Sequence, residues 1–164
     1  MITYMNSVKS GDSTNMEGIA AQYYWSTLFD DFIRDRKGDA PNNFLNFGYA
    51  VLRSMVARAI VCSGLHPTIG IFHKNKYNAY CLADDLMEPY RPYVDLLVVE
   101  WMQKPFSPYQ LDKNVKAHLL QIATRDVTIN GLQRPLMTAL SITSSSLYKC
   151  FTGENRVLSY PMLS

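Results

Sequence analysis

The sequence predicts an all-α protein, a multi-helix domain, and two observations carry this prediction. Apolar residues recur at helical spacing through several long segments, whereas the alternating pattern typical of strands is weak. The chain has 164 residues, of which 48% are hydrophobic and 18% charged, a composition that favours a folded core over disorder. We therefore expect a helical bundle or array.

The first predicted helix begins near Thr14, because Thr14 and Glu17 have the spacing of a capping box. Gly and Pro in the segment Gly38–Pro41 end it. Between these limits the apolar side chains follow helical spacing: Ala20, Ala21, Tyr24, Trp25, Leu28, Phe29 and Phe32.

The second predicted helix begins at Asn42 or Asn43 and runs to about Cys62, where Ser63-Gly64 is a natural stop. After it, Ile69–Phe72 is either extended or a helical turn. Lys74–Asn78 is predicted to be a polar loop.

Three further helices are predicted over about Tyr93–Met102, Leu111–Gln121 and Leu132–Tyr148. The secondary structure of Val127–Asn130, which Gly131 follows, is ambiguous from the sequence. Pro89 disfavours an α conformation at the preceding residue, so a kink is expected at Glu88.

Charge and cysteine content narrow the classes of function. The net charge of +2 permits a nucleic-acid partner without requiring one. The three cysteines form no Cys-x-x-Cys pair, which argues against a zinc knuckle or a disulfide framework. Without a secretory leader or an uninterrupted apolar span, we expect a cytoplasmic protein that contacts no membrane.

A histidine and a compact acidic group are the strongest candidates for chemistry. His73 precedes Asp84, Asp85 and Glu88, whose offsets suit one helical face, and Glu17 is a distant fourth candidate. A set of carboxylates with an imidazole suits a divalent cation. Such a cation polarises phosphodiesters and activates the hydroxyl that attacks them. The alternative is that the acids only stabilise helix N-termini and that His73 is structural.

Basic and aromatic residues surround this group. Lys74, Lys76 and Arg91 are interleaved with tyrosines and could neutralise phosphates, although a solvated loop with ordinary ion pairs explains them equally well. The run Arg34–Lys37 is interpreted as a charged helix end.

Four ordered motifs resemble one known family. They are Asn15-x-Glu17-Gly18, then Asn43–Ala50 (N-F-L-N-F-G-Y-A), Gly64–His73 (G-L-H-P-T-I-G-I-F-H) and Leu82–Asp95 (L-A-D-D-L-M-E-P-Y-R-P-Y-V-D). This series is similar to the CRISPR-associated endonuclease/integrase of spacer acquisition, and looks closest to the branch of type II systems. The resemblance is dense from Asn15 to Asp95 and thins beyond it.

The resemblance implies an α-helical catalytic domain that binds Mg²⁺ or Mn²⁺ through Glu17, His73 and Glu88, with Asp85 as a further acid supporting catalysis. It implies a metal-dependent reaction that joins prespacer 3′-hydroxyls to CRISPR repeat DNA by transesterification. Asn46, Tyr49, Lys74, Lys76 and Arg91 are weaker candidates for positioning the DNA.

The resemblance also sets expectations for organisation and partners. The family normally carries an N-terminal β domain, which we expect to be missing here, with residues 1–12 as a short remnant or linker and residues 13–164 as the helical catalytic domain. Prespacer and repeat DNA, a small second acquisition subunit and homodimerisation are the implied partners. The alternative is a catalytically inactive helical fragment that binds DNA or a partner.

Overall fold

The computed structural model describes residues 15–105 and 109–162, and helices predominate within these ranges. The expected N-terminal remnant at residues 1–12 and the capping residue Thr14 lie outside them. The helices and strands, in chain order, are α1 (Met16–Leu28), α2 (Asn42–Cys62), α3 (Cys81–Met87), α4 (Arg91–Met102), α5 (Lys113–Leu119), β1 (Asp126–Ile129), β2 (Leu132–Pro135), α6 (Leu136–Phe151) and β3 (Pro161–Met162). Two 3₁₀ turns cover Glu88–Tyr90 and Leu120–Ala123.

Helix α2 is the centre of the fold. It packs against α3, α4 and α6, and its apolar face includes Phe44, Leu45, Leu52 and Ile60, each fully buried. It is the one helix in the described residues that is long and apolar enough to cross a bilayer, but its apolar face packs inside the hydrophobic core. The predicted bounds are confirmed.

Close packing of α2 on α4 depends on a glycine. A Cβ atom at Gly48 would overlap a methyl group of Val94, so a larger residue would push the two helices apart. This contact matters for the site because α4 carries Arg91 and Asp95.

Helix α1 is shorter than expected, and the prediction that it reaches Gly38–Pro41 is wrong. It ends at Leu28 because Phe29 has extended backbone (φ −140°, ψ 131°) and Asp31 is left-handed (φ 49°). The turn brings the rings of Trp25, Phe29 and Phe32 together, with centroid distances of 5.1–6.4 Å between them. An aromatic cluster therefore replaces the last predicted turns.

The expectation of an all-α domain is wrong for the C-terminal third, which contains a three-stranded antiparallel sheet of order β2-β1-β3. Asn130 and Gly131 join β1 to β2, and both have positive φ (51° and 76°). Asn-Gly is the favoured pair for such a hairpin turn. The helix predicted from Leu132 therefore begins only at Leu136, since residues 132–135 pair with β1.

The break predicted at Glu88 is present, but its conformation differs from the prediction. Glu88 is α-helical (φ −52°, ψ −47°), and the chain tightens into a 3₁₀ turn closed by the Arg91 N–H and the Glu88 carbonyl. Helix α4 then begins at Arg91, two residues earlier than predicted. The predicted helix over Leu111–Gln121 is α5 followed by the second 3₁₀ turn.

Candidate active site

Asp85 organises the loop that carries His73. Its carboxylate accepts the backbone N–H groups of Ile71 (2.6 Å), Phe72 (3.0 Å) and His73 (3.1 Å), and it lies 2.6 Å from His73 Nδ1. A Cβ at Gly70 would overlap the His73 carbonyl oxygen, so the tight loop also requires glycine there. One side chain on α3 thereby fixes both the loop and its imidazole.

The same contacts fix the charge of Asp85. Burial acts to raise the pKa of this carboxyl, but the hydrogen bonds from His73 and the three backbone N–H groups outweigh it and hold the pKa below its usual value. An ionised Asp85 accepts a hydrogen bond from the Nδ1–H group of His73, and in the neutral imidazole Nε2 is then the acceptor nitrogen. The imidazole is about two-fifths exposed.

His73 lines a cavity of about 540 Å³ that we call the arginine cavity. Four arginines line it, and one carboxylate, Asp84, opposes them. Its wall comprises Arg34, Arg36, Asn46, Tyr49, Ala50, Arg53, His73, Asn75, Asn78, Asp84, Met87 and Arg91. The interpretation of Arg34 and Arg36 as a charged helix end is wrong, because both lie in the irregular segment that follows α1.

Asn46 holds this segment in place. Its Oδ1 accepts a hydrogen bond from an Arg34 Nη atom (2.6 Å), and its Nδ2 donates to the Arg36 carbonyl (2.8 Å). Both ends of the amide are therefore used within the protein.

A second cavity of about 350 Å³, which we call the aromatic cavity, shares Tyr49 and Arg91 with the first. The Arg91 Cζ lies 4.8 Å from the centroid of the Tyr49 ring, and Arg91 Nε lies 3.0 Å from Glu88 Oε2. The Nε contact is an ion pair rather than an aligned hydrogen bond. The wall comprises Ala20, Ala21, Tyr24, Trp25, Tyr49, Glu88, Arg91, Pro92 and Asp95.

Asp95 is a buried acid that sequence reasoning did not select as a site residue. It is 2% exposed and accepts hydrogen bonds from the hydroxyls of Tyr24 (2.7 Å) and Tyr49. Burial raises its pKa to about 6, despite these bonds and the nearby charges of Arg91 and Arg34. Its signal in the sequence was an acid placed among the apolar residues of α4.

Burial and the Asp95 charge raise the pKa values of both tyrosine hydroxyls, which therefore stay protonated as donors.

The predicted metal ligands lie in different surroundings. His73 lines the arginine cavity, whereas the half-exposed Glu88 lines the aromatic cavity. Glu17 is exposed in the first turn of α1, one turn before Ala20 and Ala21 of the aromatic cavity. No three His, Cys, Asp or Glu side chains in the described ranges converge closely enough to hold a metal ion.

The loop lysines are placed for solvent contact. Lys74 and Lys76 are exposed next to His73, and the Lys76 Nζ lies 4.9 Å from the centroid of the Tyr77 ring.

The fold is shared with a protein of known structure. A solved structure described as a casposase bound to integration product matches with a TM-score of 0.77 over 95% of this chain and 52% of that chain, at 22% sequence identity. The family model for CRISPR associated protein Cas1 matches residues 4–134. The chain belongs to the Cas1 family, which confirms the resemblance seen in the motifs.

Curated relatives carry the same family name. A CRISPR-associated endonuclease Cas1 of Neisseria meningitidis serogroup C (strain 8013) is 33% identical over 153 residues, which are 93% of this chain and 50% of the relative. One from Francisella tularensis subsp. novicida (strain U112) is 34% identical over 125 residues, 70% of this chain and 39% of the relative. The chain thus spans about half or less of the length of these relatives.

Proposed function

We propose that this chain is the catalytic region of a metal-dependent DNA endonuclease/integrase of CRISPR spacer acquisition. It would join prespacer 3′-hydroxyls to repeat DNA by transesterification. The single observation that carries this proposal is the His73 imidazole, held by Asp85 at the wall of an arginine-lined cavity. The names of the curated relatives, which are called endonucleases, support the same class of reaction.

The donor chemistry fits Mg²⁺ or Mn²⁺. Two carboxylates, Glu17 and Glu88, with one imidazole, His73, would supply an oxygen-rich ligand set if a cation drew them together. Histidines that bind metals usually donate their other ring N–H to a carboxylate, which is the role of Asp85 toward Nδ1. When bound, such a cation would polarise the phosphodiester and acidify the attacking hydroxyl.

The protein's own groups would orient the substrate around this site. Asp85 holds the tautomer and direction of the His73 ring. Arg91, stacked on Tyr49, carries a guanidinium that would offset phosphate charge, and Lys74 and Lys76 lie on the exposed loop where they could contact the backbone. Asn46 would act indirectly by holding Arg34.

DNA is the partner that this arrangement supports, with prespacer and repeat strands as the proposed substrates. A small second acquisition subunit, homodimerisation and a cytoplasmic location are further parts of the proposal. They rest on membership of the family.

The first test is a Mn²⁺ titration of the full chain by calorimetry, alongside strand transfer on branched DNA. His73→Ala should weaken Mn²⁺ binding and strand transfer by more than about 100-fold, since even the outer partners of metal ligands cost 10–100-fold. His66→Ala is the matched control, because His66 is exposed and lines neither cavity. Equal Mn²⁺ binding by the unaltered chain and His73→Ala would refute the ligand assignment.

The second candidate function is a helical fragment that binds DNA or a partner without catalysis. One observation favours it: within the described ranges, no three metal-ligating side chains converge. It predicts binding of branched DNA with neither cleavage nor strand transfer at any Mg²⁺ or Mn²⁺ concentration.

A further inference from the structure

We infer that Tyr24 and Asp95 are positioning residues of the proposed reaction: their hydrogen bond holds α1 against α4 and thereby sets where Glu17 lies relative to Glu88. The inference rests on the proposed function and deepens it, because it assigns the contact that keeps two candidate ligands from separate elements on one side of the fold. Neither Tyr24 nor Asp95 was a candidate for chemistry in the sequence.

The face of α1 that carries Glu17 is also the face that meets the aromatic cavity. Glu17, Ala20, Ala21 and Tyr24 follow the spacing i, i+3, i+4 and i+7, which places them along one side of the helix. The last three line the aromatic cavity, and Glu88 lies in the same wall. At 1.5 Å per residue, Glu17 lies about 10 Å along the axis from Tyr24. The docking of α1 at Tyr24 therefore decides which side of the protein Glu17 faces.

Helix α1 depends on such contacts for its position. It has 13 residues, a length at which an isolated helix is marginal in water, and the side chain of Asn15 makes no capping hydrogen bond at its N-terminus. None of its residues, all of which the structure describes, is buried. The small side chains of Ala20 and Ala21 line a cavity of about 350 Å³ next to α4. A single strong polar contact should therefore have a large effect on where α1 lies.

The hydrogen bond between Tyr24 and Asp95 is a contact of this kind. The Tyr24 hydroxyl donates to Asp95 Oδ2 (2.7 Å), while the Tyr49 hydroxyl of α2 donates to Oδ1. Asp95 is buried, so its carboxylate is fixed on α4 and is shielded from competing water. Hydrogen bonds to a charged acceptor are stronger than those between neutral groups. One carboxylate thus connects α1, α2 and α4.

The first measurement is amide hydrogen exchange of α1 in the full chain without divalent metal, above the Asp95 pKa of about 6, where the acceptor is ionised. The test variant is Tyr24→Phe, which removes only the hydroxyl. Its matched control is Tyr93→Phe, which removes a hydroxyl from the same helix as Asp95, but one that donates to the Met162 carbonyl (3.0 Å).

The amides of α1 should exchange roughly 10- to 100-fold faster in Tyr24→Phe, as expected for losing a hydrogen bond to a charged group. They should be unchanged in Tyr93→Phe, because the opening of α1 alone leaves the bond to Met162 intact. Unchanged exchange of α1 in Tyr24→Phe would overturn the inference. An equal response of α1 to both variants would also overturn it, since α1 would then open only with the rest of the fold.

The second measurement tests whether this contact acts through Glu17. Tyr24→Phe should weaken Mn²⁺ binding in calorimetry by about 10-fold, because the apparent affinity falls with the fraction of molecules in which α1 is docked. In the Glu17→Gln background the same change should cost little further affinity, since residues that act as one unit are not additive. Tyr93→Phe should keep the affinity of the unaltered chain.

The outcomes separate this inference from the proposed function. Equal Mn²⁺ affinity of Tyr24→Phe and the unaltered chain, or a full additional loss in the Glu17→Gln background, would overturn the positioning role. Absence of Mn²⁺ binding by the unaltered chain would refute the proposed ligand set. The exchange comparison needs no metal, so it decides by itself whether Tyr24 and Asp95 hold α1.

Discussion

The arginine cavity and the aromatic cavity share a wall, yet their chemistry is opposite. The first gathers four arginines against one carboxylate, whereas the second places Glu88 and Asp95 among tyrosine and tryptophan rings. The shared wall is Arg91 stacked on Tyr49. Arg91 lines both cavities and forms an ion pair with Glu88, so the cationic and the acidic surface meet at this one residue.

Two aspartates stabilise the two cavities in different ways. Asp85 is ionised, with four hydrogen bonds that lower its pKa, and it holds the loop of the arginine cavity. Asp95 is buried with a raised pKa, and it holds the two tyrosines of the aromatic cavity. The number of donors facing each carboxylate, set against its burial, decides the direction of each shift.

The largest expected effect on stability comes from Asp95. A carboxyl whose folded pKa is raised binds its proton more tightly when folded, so its stabilisation is complete below the unfolded pKa and is lost as pH rises through about 6. Relative to Asp95→Asn, the unaltered protein should lose about 2–3 kcal/mol of unfolding free energy between pH 4 and pH 7. Urea unfolding of both proteins at several pH values measures this difference, and a constant difference would contradict the raised pKa.

A smaller effect, of opposite sign with pH, is expected at Asp85. Asp85→Asn replaces an acceptor with an N–H₂ group that faces donors, which should cost about 1–3 kcal/mol of unfolding free energy. Because the folded pKa is lowered, this stabilisation is present above the unfolded pKa and disappears as pH falls.

Under the proposed function, Asp85→Asn should also reduce strand transfer by about 10–100-fold through the orientation of His73. Asp126→Asn, an exposed aspartate on β1, is the control. Full activity of the Asp85 variant would show that the loop holds His73 without it.

The smallest effect on stability is expected at Glu88. Its ion pair with Arg91 is half-exposed, so Glu88→Gln should change the unfolding free energy by less than about 1 kcal/mol. If Glu88 is a metal ligand, the same variant should nevertheless lose Mn²⁺ affinity in calorimetry. Unchanged affinity and activity would reduce Glu88 to a surface partner of Arg91 and leave the aromatic cavity without a catalytic role.

How well each helix was predicted depends on the range of the interactions that set its ends. The bounds of α2 were predictable because its apolar spacing and its Ser63-Gly64 stop are local. The extension of α1 and the early start of the last helix were wrong, since the aromatic cluster at Trp25 and the Asn130-Gly131 hairpin override helical spacing. His73 and Asp85 were both candidate site residues and they lie in contact, but the three backbone hydrogen bonds to Asp85 could not be predicted from their spacing.

The sequence by itself determined the family, the central helix and the residue types available for catalysis, because ordered motifs and helical periodicity are properties of the chain alone. Only the tertiary structure decided that Asp95 lies between Tyr24 and Tyr49, which are 71 and 46 residues away. It likewise decided that arginines from three segments face one cavity. Such contacts depend on how α1 and the segment after it fold back over α2 and α4, and local spacing contains no record of that approach.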